Sequence, residues 1–276
     1  DLRSPLREVI ADADRLYRDY PTDAADGIAD YSVAVLPPSP LRRWIRPNLV
    51  LACDVEVPFM APVPREHGLL ALEMGMNLQL AAGMHRFVLI HAGAVARDGG
   101  ALVMTGDSGA GKSTLAAMLG HRGWRFLGDE FALLDPIDGR FLPFPRPISL
   151  KNASIDLLRG IAPADRFGPR FDGTIKGSVQ HLAPPVEAIA AMDAAVPARL
   201  IVMPAFAAGA EPTIRRISRA ECFFHLSQAS TNYRLIGERA FEAVWQLVES
   251  APAYEITYGS TEDAEALIDE LWRTHG

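Results

Sequence analysis

The sequence predicts a mixed α/β fold. Apolar segments with the pattern of strands and amphipathic segments with the pattern of helices follow one another along the 276 residues. A glycine-rich loop at residues 106–111 separates a short apolar run from a helical segment. Hydrophobic residues make up 49% of the chain and charged residues 22%, as in ordinary globular proteins, so a sizeable core can form.

The N-terminal part, residues 1–85, is predicted to be a smaller α+β region. Apolar residues at helical spacing predict a helix over 5–17. Short β-rich runs at 31–36 and 49–57 predict strands, with a proline-rich turn between them. A long apolar segment over 66–84 predicts a mostly buried helix.

Residues 86–276 are predicted to form a second, larger unit. Asp98 and Gly99 lie between two apolar runs, which indicates a hairpin. Prolines at 143, 145 and 147 argue against a central strand and predict an extended surface segment through Lys151. The other predicted elements are strands at 87–96, 101–105, 125–134, 141–144, 198–203, 213–217 and 254–258, and helices at 112–122, 219–229, 238–248 and 262–273.

Composition and charge exclude several classes of protein. A net charge of −7 offers no basic surface for nucleic acid. Two isolated cysteines are too few for a disulfide framework or a zinc site. The most apolar stretch contains too many polar residues to span a membrane, and the first residues lack the apolar core of a signal peptide. We therefore expect a cytoplasmic protein that binds neither membranes nor nucleic acid.

Lysine is scarce. Of 27 basic residues 24 are Arg, and the three lysines are Lys112, Lys151 and Lys176. Lysine supplies a compact ammonium where the broad guanidinium fork does not fit. The bias favours functional roles for these three lysines. For Lys151 and Lys176, retention by chance at the protein surface explains their presence equally well.

The spacing Gly-x-x-x-x-Gly-Lys-Ser identifies a P-loop at residues 106–113. Such a loop turns successive backbone N–H groups and a helix N-terminus toward phosphates. Lys112 is expected to reach the β- and γ-phosphates of ATP, and the Ser113 hydroxyl to occupy one Mg²⁺ position. The predicted nucleotide-binding residues are Gly106, Asp107, Ser108, Gly109, Ala110, Gly111, Lys112, Ser113 and Thr114.

Two adjacent carboxylates, Asp129 and Glu130, follow the next predicted strand. Nucleotide sites of α/β sheets lie where strands end, and phosphoryl transfer needs carboxylates for Mg²⁺ and for the acceptor's proton. We predict Asp129 as the catalytic base, with Glu130 and Asp129 as metal ligands beside Ser113. His91, on the strand before the loop, is a further candidate. The chain lacks a guanine-reading Asn-Lys-x-Asp and a transporter Leu-Ser-Gly-Gly-Gln motif.

These segments together resemble the HPr kinase/phosphorylase superfamily, most closely its branch of HPr kinase-related proteins of type A. The resemblance covers most of residues 66–235. It implies a core of the HPr kinase and phosphoenolpyruvate carboxykinase type. It also implies Asp129 as the base, Glu130 as its acidic neighbour and His91 as the preceding histidine. The matching segments are 91–95, 106–114, 122–124, 128–130, 145–152, 176–177 and 232–233.

The chain departs from true HPr kinases at several points. Thr114 stands where they carry Glu, Glu130 replaces a second Asp, and a downstream Pro-Gly-Arg-Asn stretch is missing. These differences leave open whether HPr is the acceptor and whether a reverse phosphorylase reaction exists. The roles of Lys176 and Asn232 are open as well.

The leading hypothesis is a Mg²⁺- and ATP-dependent kinase that phosphorylates a hydroxyl, in particular a serine of a protein or peptide. Lys112, with Arg146, Lys151 or Lys176 as candidates, would neutralise charge on the moving phosphoryl group. Two alternatives are a small-molecule kinase of the same fold and a nucleotide-binding regulatory module without catalysis. The resemblance also suggests a small PqqD-like partner protein, and homo-oligomer contacts through residues 31–64 are a further option.

Overall fold

A computed structural model describes residues 1–22, 29–43, 45, 47–55, 61–107 and 109–275. Helices and strands are interspersed throughout this part, which confirms the mixed α/β class. None of its helices is long and apolar enough to cross a membrane. The helices are α1 (Arg7–Leu16), α2 (Gly68–Gly83), α3 (Lys112–His121), α4 (Ala153–Arg159), α5 (Val186–Ala190), α6 (Arg219–Ala229), α7 (Tyr233–Ile236), α8 (Glu238–Ser250) and α9 (Thr261–Thr274).

The strands within the described residues belong to three sheets. They are β1 (Leu2–Arg3), β2 (Val33–Leu36), β3 (Asn48–Cys53), β4 (Val63–Pro64), β5 (Val88–Ile90), β6 (Gly93–Arg97), β7 (Gly100–Met104), β8 (Arg125–Gly128), β9 (Ala132–Leu134), β10 (Arg140–Leu142), β11 (Ile148–Lys151), β12 (Phe167–Thr174), β13 (Gly177–Leu182), β14 (Val196–Phe206), β15 (Thr213–Arg216) and β16 (Ala253–Tyr258).

The largest sheet is mixed. Its order is β5-β9-β10-β14-β7-β6-β8, and β16 pairs with β14 and with β15. Strand β14 runs parallel to β7 and to β16, whereas the other pairs are antiparallel. The glycine-rich loop follows β7, so it lies at the carboxyl ends of the parallel strands, where α/β sheets bind their ligands.

Helices cover both faces of this sheet. Leu102 and Met104 of β7 belong to a core cluster with α3 and α9, and Ala101 and Val103 belong to a second cluster with α6 and α8. All four side chains are fully buried. A strand covered on both faces is apolar at every position, which is why β7 is a continuous apolar run in the sequence.

Two smaller sheets complete the fold. In the sheet of order β11-β13-β12, Ile148 and Leu150 join the core beneath α3. The sheet of order β1-β2-β3-β4 packs with α1 and α2 around Val35 and Leu72, and Phe171 of β12 belongs to the same cluster. The N-terminal sheet therefore shares a core with the β11-β13-β12 sheet. The division of the chain at residue 85 stays a prediction.

The hairpin predicted at Asp98 and Gly99 is confirmed. The two residues have φ of +50° and +76°, the left-handed pair that a tight two-residue turn requires. They connect β6 to β7, which pair antiparallel from Gly93 opposite Met104 to Arg97 opposite Gly100.

Two strand predictions are wrong, because the chain changes partners where a continuous strand was expected. Over 87–96 the structure has β5 and β6: β5 pairs with β9, whereas β6 pairs with β7 and β8. Over 125–134 it has β8 and β9, which lie at different places in the sheet. The first break holds His91 and the second holds Asp129 and Glu130.

The proline-rich segment ends in a strand. Strand β11 lies at the edge of its sheet, in line with the extended conformation that the prolines predict. The expected surface position is wrong for Ile148 and Leu150, which are fully buried. Three prolines precede β11, so they do not interrupt its hydrogen bonds.

Candidate functional site

The glycine-rich loop connects the end of β7 to the start of α3. Gly106, Gly109 and Gly111 have φ of +142°, +88° and +97°, a region that L side chains rarely adopt. A Cβ at Gly111 would lie 2.3 Å from the hydroxyl oxygen of Tyr258 in β16. The path of this loop therefore requires glycine. Ser108, one of its predicted nucleotide-binding residues, lies outside the described residues.

Lys112 is the first residue of α3, and its side chain folds back over the loop. The Nζ atom donates hydrogen bonds to the backbone oxygens of Gly106, at 2.8 Å, and Asp107, at 2.9 Å. Burial lowers the pKa of Lys112, while the nearby charges of Asp129 and Glu130 oppose that change. The ammonium thus lies between the loop and the two predicted carboxylates.

Asp129 and Glu130 lie in a tight connection between β8 and β9. A Cβ on the preceding Gly128 would come within 2.8 Å of the backbone oxygen of Phe131, so only glycine fits this turn. In a continuous strand these two neighbouring side chains would point to opposite faces of the sheet. Because the chain bends here, that restriction does not apply to the two carboxylates. Asp129 is buried, whereas the side chain of Glu130 is 47% exposed.

Asp129 has an unusual environment for an aspartate. Its Oδ1 atom is buried and has no hydrogen-bond partner, and its carboxylate is hydrogen-bonded to the side chain of Ser113. Burial raises the pKa of Asp129 to about 6; the bond from Ser113 and the charges of Lys151 and Lys112 oppose the rise. A carboxylate with a pKa near neutrality can take and release protons.

His91 contacts Glu130. Its Nδ1 atom lies 3.0 Å from the backbone oxygen of Glu130 and 3.7 Å from its Oε1 atom. The backbone N–H of His91 donates to the oxygen of Ala229, which holds the break between β5 and β6 against the end of α6. The structure therefore brings His91 to the carboxylate pair, on the side of Glu130.

Lys151 is the last residue of β11. It is exposed, and its charge is near enough to favour the ionised form of Asp129 and to disfavour the charged form of Lys112. Lys176 lies in the exposed turn between β12 and β13, where its backbone oxygen accepts a bond from the Asn152 side chain. Of these two lysines, Lys151 is the one whose charge acts on Asp129 and Lys112.

The side chain of Arg146 is hydrogen-bonded to residues in the N-terminal part of the chain. Its guanidinium donates to Glu73 Oε2 at 2.6 Å, to the hydroxyl of Tyr17 at 3.2 Å, and to the side chain of Asn77. The side chain of Arg146 is 16% exposed and that of Glu73 is 6% exposed. This buried ion pair ties the segment before β11 to α2.

Asn232 stabilises the start of β5. Its Oδ1 atom accepts from the N–H of Leu89 at 2.9 Å, and its Nδ2 atom donates to the oxygens of Met84 and Phe87, both at 2.9 Å. Asn232 is almost fully buried, so these bonds satisfy backbone groups that water cannot reach. Its role is structural, because it fixes the chain that leads to His91.

A small cavity lies beside Asp129. Sequence reasoning missed Glu73, Ser149 and His181 as site residues, because β13 was not predicted and Glu73 belongs to a helix taken as core. The one available signal is that Glu73 and Asn77 are polar residues four apart in an apolar helix, and so share a face. The lining residues are Glu73, Asn77, Asp129, Glu130, Phe131, Phe144, Arg146, Pro147, Ser149 and His181.

The donor set suits a hard cation better than zinc. Within the described residues no three His, Cys, Asp or Glu side chains are grouped as a metal cluster would require. A Mg²⁺ site requires fewer protein ligands, because the ion keeps several water molecules and binds one or two carboxylates together with phosphates. Asp129, whose Oδ1 lacks a partner, and Ser113, which bonds to Asp129, could supply such ligands with Glu130.

Comparison with known proteins gives a distant likeness to solved structures. No family model matches the chain, and no curated protein matches it. Among solved structures it is similar to the Hpr(Ser) kinase/phosphatase from Coxiella burnetii, with 14% sequence identity and a TM-score of 0.30. The match covers 68% of this chain and 95% of that one. The likeness is distant, so the function has to be inferred from the residues of the site.

Proposed function

We propose that this protein is an ATP-dependent phosphotransferase that moves the γ-phosphoryl group of MgATP to a serine hydroxyl of a protein or peptide. The glycine-rich loop supports binding of the triphosphate: three glycines with positive φ precede a helix that begins at Lys112. Bound phosphates would replace the backbone oxygens of Gly106 and Asp107 as partners of the Lys112 ammonium.

Magnesium fits the same place. Ser113, Asp129 and Glu130 would hold it, and its charge would offset the negative charge of the phosphates. Ser113 is in the first turn of α3, directly after Lys112, and its side chain already bonds to Asp129. One hydroxyl and two carboxylates leave the remaining positions to phosphate oxygens and water, as magnesium prefers.

The state of Asp129 is the observation that carries the proposal. A module that only binds nucleotide needs no base, yet this carboxylate is buried, has a free Oδ1 and has a pKa raised to about 6. Such a group can accept the proton of a hydroxyl as the oxygen bonds to phosphorus. Lys112 beside it supplies positive charge for the transferred phosphoryl group.

The other predicted residues have secondary roles in this scheme. His91 would hold Glu130 in place through its contact with the Glu130 backbone. Lys151 would add positive charge at the phosphates. The ion pair of Arg146 with Glu73 favours an anchoring role over direct contact with phosphate. Residues 86–276 would form the kinase core, and residues 1–85 would contribute to acceptor recognition. A PqqD-like protein is proposed as a partner on the sequence resemblance alone.

Transfer from γ-labelled ATP tests this function. We expect wild-type protein incubated with a cell extract to label a protein band, and Lys112→Ala to abolish the label because it removes the ammonium from the loop. Lys176→Ala, which removes a lysine from an exposed turn, is the matched control and should label normally. Label in a small molecule would favour a metabolite kinase, and nucleotide binding without any transfer would favour the regulatory module; either result contradicts the proposal.

A further inference from the structure

Helices α6 and α8 expose several aromatic side chains to solvent. Phe224 of α6 is 61% exposed, and Phe241 and Trp245 of α8 are 51% and 41% exposed. Among the described residues, three of the four exposed Phe and Trp side chains lie on these two helices, and Phe206 is the fourth. A single exposed apolar residue is ordinary, whereas several together mark an interaction surface.

The rings of the two helices contact one another. The centre of the Phe223 ring in α6 lies 5.2 Å from that of Phe241 and 6.0 Å from that of Trp245, both edge to face. Phe223 is partly buried against the core beneath α6 and α8. Phe223, Phe241 and Trp245 therefore form one continuous aromatic surface across both helices, here called the α6–α8 surface. Phe224, the next residue of α6, adds exposed apolar area beside it.

Three glutamates of α8 border the α6–α8 surface. Glu238 lies three residues before Phe241. Glu242 lies three residues before Trp245, and Glu249 lies four residues after it. Side chains at these spacings are neighbours on a helix. All three glutamates are exposed, and none of them forms an ion pair within the described part of the chain. The aromatic surface thus has an acidic border along α8.

Electrostatics within α8 accounts for one of these glutamates and not for the other two. Glu238 is the first residue of α8, where the helix dipole favours negative charge. Glu242 lies four residues further on, and like charges at that spacing destabilise a helix. Glu249 is in the last turn, where the dipole disfavours a carboxylate and α8 has no basic residue. The helix itself therefore leaves this charge without a partner.

The cations of the neighbouring elements do not neutralise this border. Arg219 begins α6 four residues before Phe223, so it borders the surface on the α6 side. Arg239 directly follows Glu238, a spacing that turns it to another side of α8. Arg215, just before α6, is already paired with two other glutamates. The surface is therefore acidic along α8 and has a positive charge at one end of α6.

We propose that the α6–α8 surface docks an amphipathic helix of a partner protein, one with an apolar stripe and with lysine or arginine along one edge. The stripe would pack on Phe241 and Trp245, as amphipathic helices do in hydrophobic grooves. The basic edge would pair with the three glutamates, which span about 17 Å of α8. These glutamates repel an anionic membrane, and two copies of α8 side by side would bring like charges together.

The position of this surface separates it from the glycine-rich loop. Helices α6 and α8 cover one face of the largest sheet, whereas α3, which begins at the loop, packs on the opposite face. A partner docked on α6 and α8 therefore leaves the loop open, and its binding does not require nucleotide.

Two designed peptides test the surface on the full chain. Both have about 18 residues, enough for a helix, and the same leucine stripe. One carries lysines along the edge of the stripe and the other carries glutamates. Fluorescence anisotropy should show saturable binding of the lysine peptide and at least about tenfold weaker binding of the glutamate peptide, because like charges repel. Equal affinities, or no binding of the lysine peptide, would overturn the proposal.

One substitution tests the aromatic part of the surface. Trp245→Ala should weaken binding of the lysine peptide about thirtyfold or more, as loss of a central aromatic residue does in other interfaces. The control is Ile137→Ala, which truncates an exposed apolar side chain in the turn between β9 and β10 and should leave the affinity within about twofold of wild type. Unchanged affinity of Trp245→Ala would show that the peptide binds elsewhere.

A triple variant tests the acidic border without touching the core. Replacing the three glutamates of α8 by glutamine should weaken binding about tenfold at low salt and remove most of its salt dependence, because exposed charges are screened by salt. A control with the same change in net charge should bind like wild type. It replaces three exposed glutamates elsewhere by glutamine: Glu187, Glu211 and Glu270. Equal effects of the two triple variants would mean that only the overall charge matters, and would overturn the docking site.

Sedimentation velocity tests the other possible occupant, a second copy of the chain. The wild type and Trp245→Ala should sediment alike at the concentrations of the binding experiment. A wild-type dimer that Trp245→Ala converts to a monomer would show that a second copy covers the α6–α8 surface, and would overturn the assignment to a basic helix.

Discussion

Two buried acidic residues, Glu73 and Asp129, line the same cavity but differ in their bonding partners. Glu73 has a buried guanidinium for a partner, since Arg146 donates to it at 2.6 Å. Asp129 has only the hydroxyl bond from Ser113, together with lysine charges at a distance, and burial raises its pKa to about 6. A cation partner offsets the free energy cost of burying a charged carboxylate. Without such a partner the cost remains, and it raises the pKa of the carboxyl group. The comparison thus separates a buried acid that has a cation for a partner from one that has none.

The strongest test of this contrast is Asp129→Asn. If Asp129 is the base, phosphoryl transfer should fall by about a hundred- to ten-thousand-fold. Affinity for the nucleotide without magnesium, measured by calorimetric titration, should stay within about threefold of wild type, because Lys112 and the loop are unaffected. Asp138→Asn, in the exposed turn between β9 and β10, is the control. A variant that still transfers at the normal rate would show that Asp129 is not the base.

Arg146→Met tests the other carboxylate. The substitution leaves Glu73 buried without its cation, so the free energy of unfolding should fall by about 3–5 kcal/mol. Denaturation in urea measures it, and adding Glu73→Gln should recover part of the loss. Arg170→Met, which removes an exposed arginine 2.9 Å from Asp172, should cost less than about 1 kcal/mol. If Arg146→Met is as stable as wild type but no longer transfers phosphoryl groups, Arg146 acts on the phosphates. The contrast between Glu73 as a structural acid and Asp129 would then be wrong.

The smallest expected effect is a gain in stability. The folded-state pKa of Asp129 lies near 6 against an ordinary value of 3.8, so the unfolded chain ionises this carboxyl first as pH rises. The difference of about two units destabilises the fold by up to about 3 kcal/mol, a cost that grows between about pH 4 and pH 6 and is constant above. Asp129→Asn should therefore be more stable than wild type at pH 8.

Urea denaturation at several pH values measures that gain. At pH 5 it should shrink to about half, because the folded carboxyl is then mostly protonated. If Asp129 is the base, kcat/KM of the wild type should decline as pH falls through about 6, since only the ionised carboxylate can accept a proton. Two results together would contradict this prediction: Asp129→Asn is only as stable as wild type at pH 8, and kcat/KM of the wild type stays constant down to pH 5. They would show that burial does not raise the pKa of Asp129.

Local patterns predicted much of the fold. Helices α1, α2, α3, α6, α8 and α9 and strands β7 and β16 lie where periodicity placed them, because each carries its signal within a few consecutive residues. The breaks at His91 and at Asp129 were missed, since the residues on both sides are apolar and pairing partners are chosen elsewhere in the chain. Strands β12 and β13 were missed as well, and with them His181.

The sequence alone determined the glycine-rich loop and its lysine, because glycine spacing and the following helix are local properties of consecutive residues. It also identified Asp129 and Glu130 as a pair worth testing. The tertiary structure decided which carboxylate is buried without a cation, because that depends on where α2 and Arg146 meet. It also decided that Glu73 and His181, 108 positions apart in the chain, line one cavity, since packing rather than local pattern brings distant segments together.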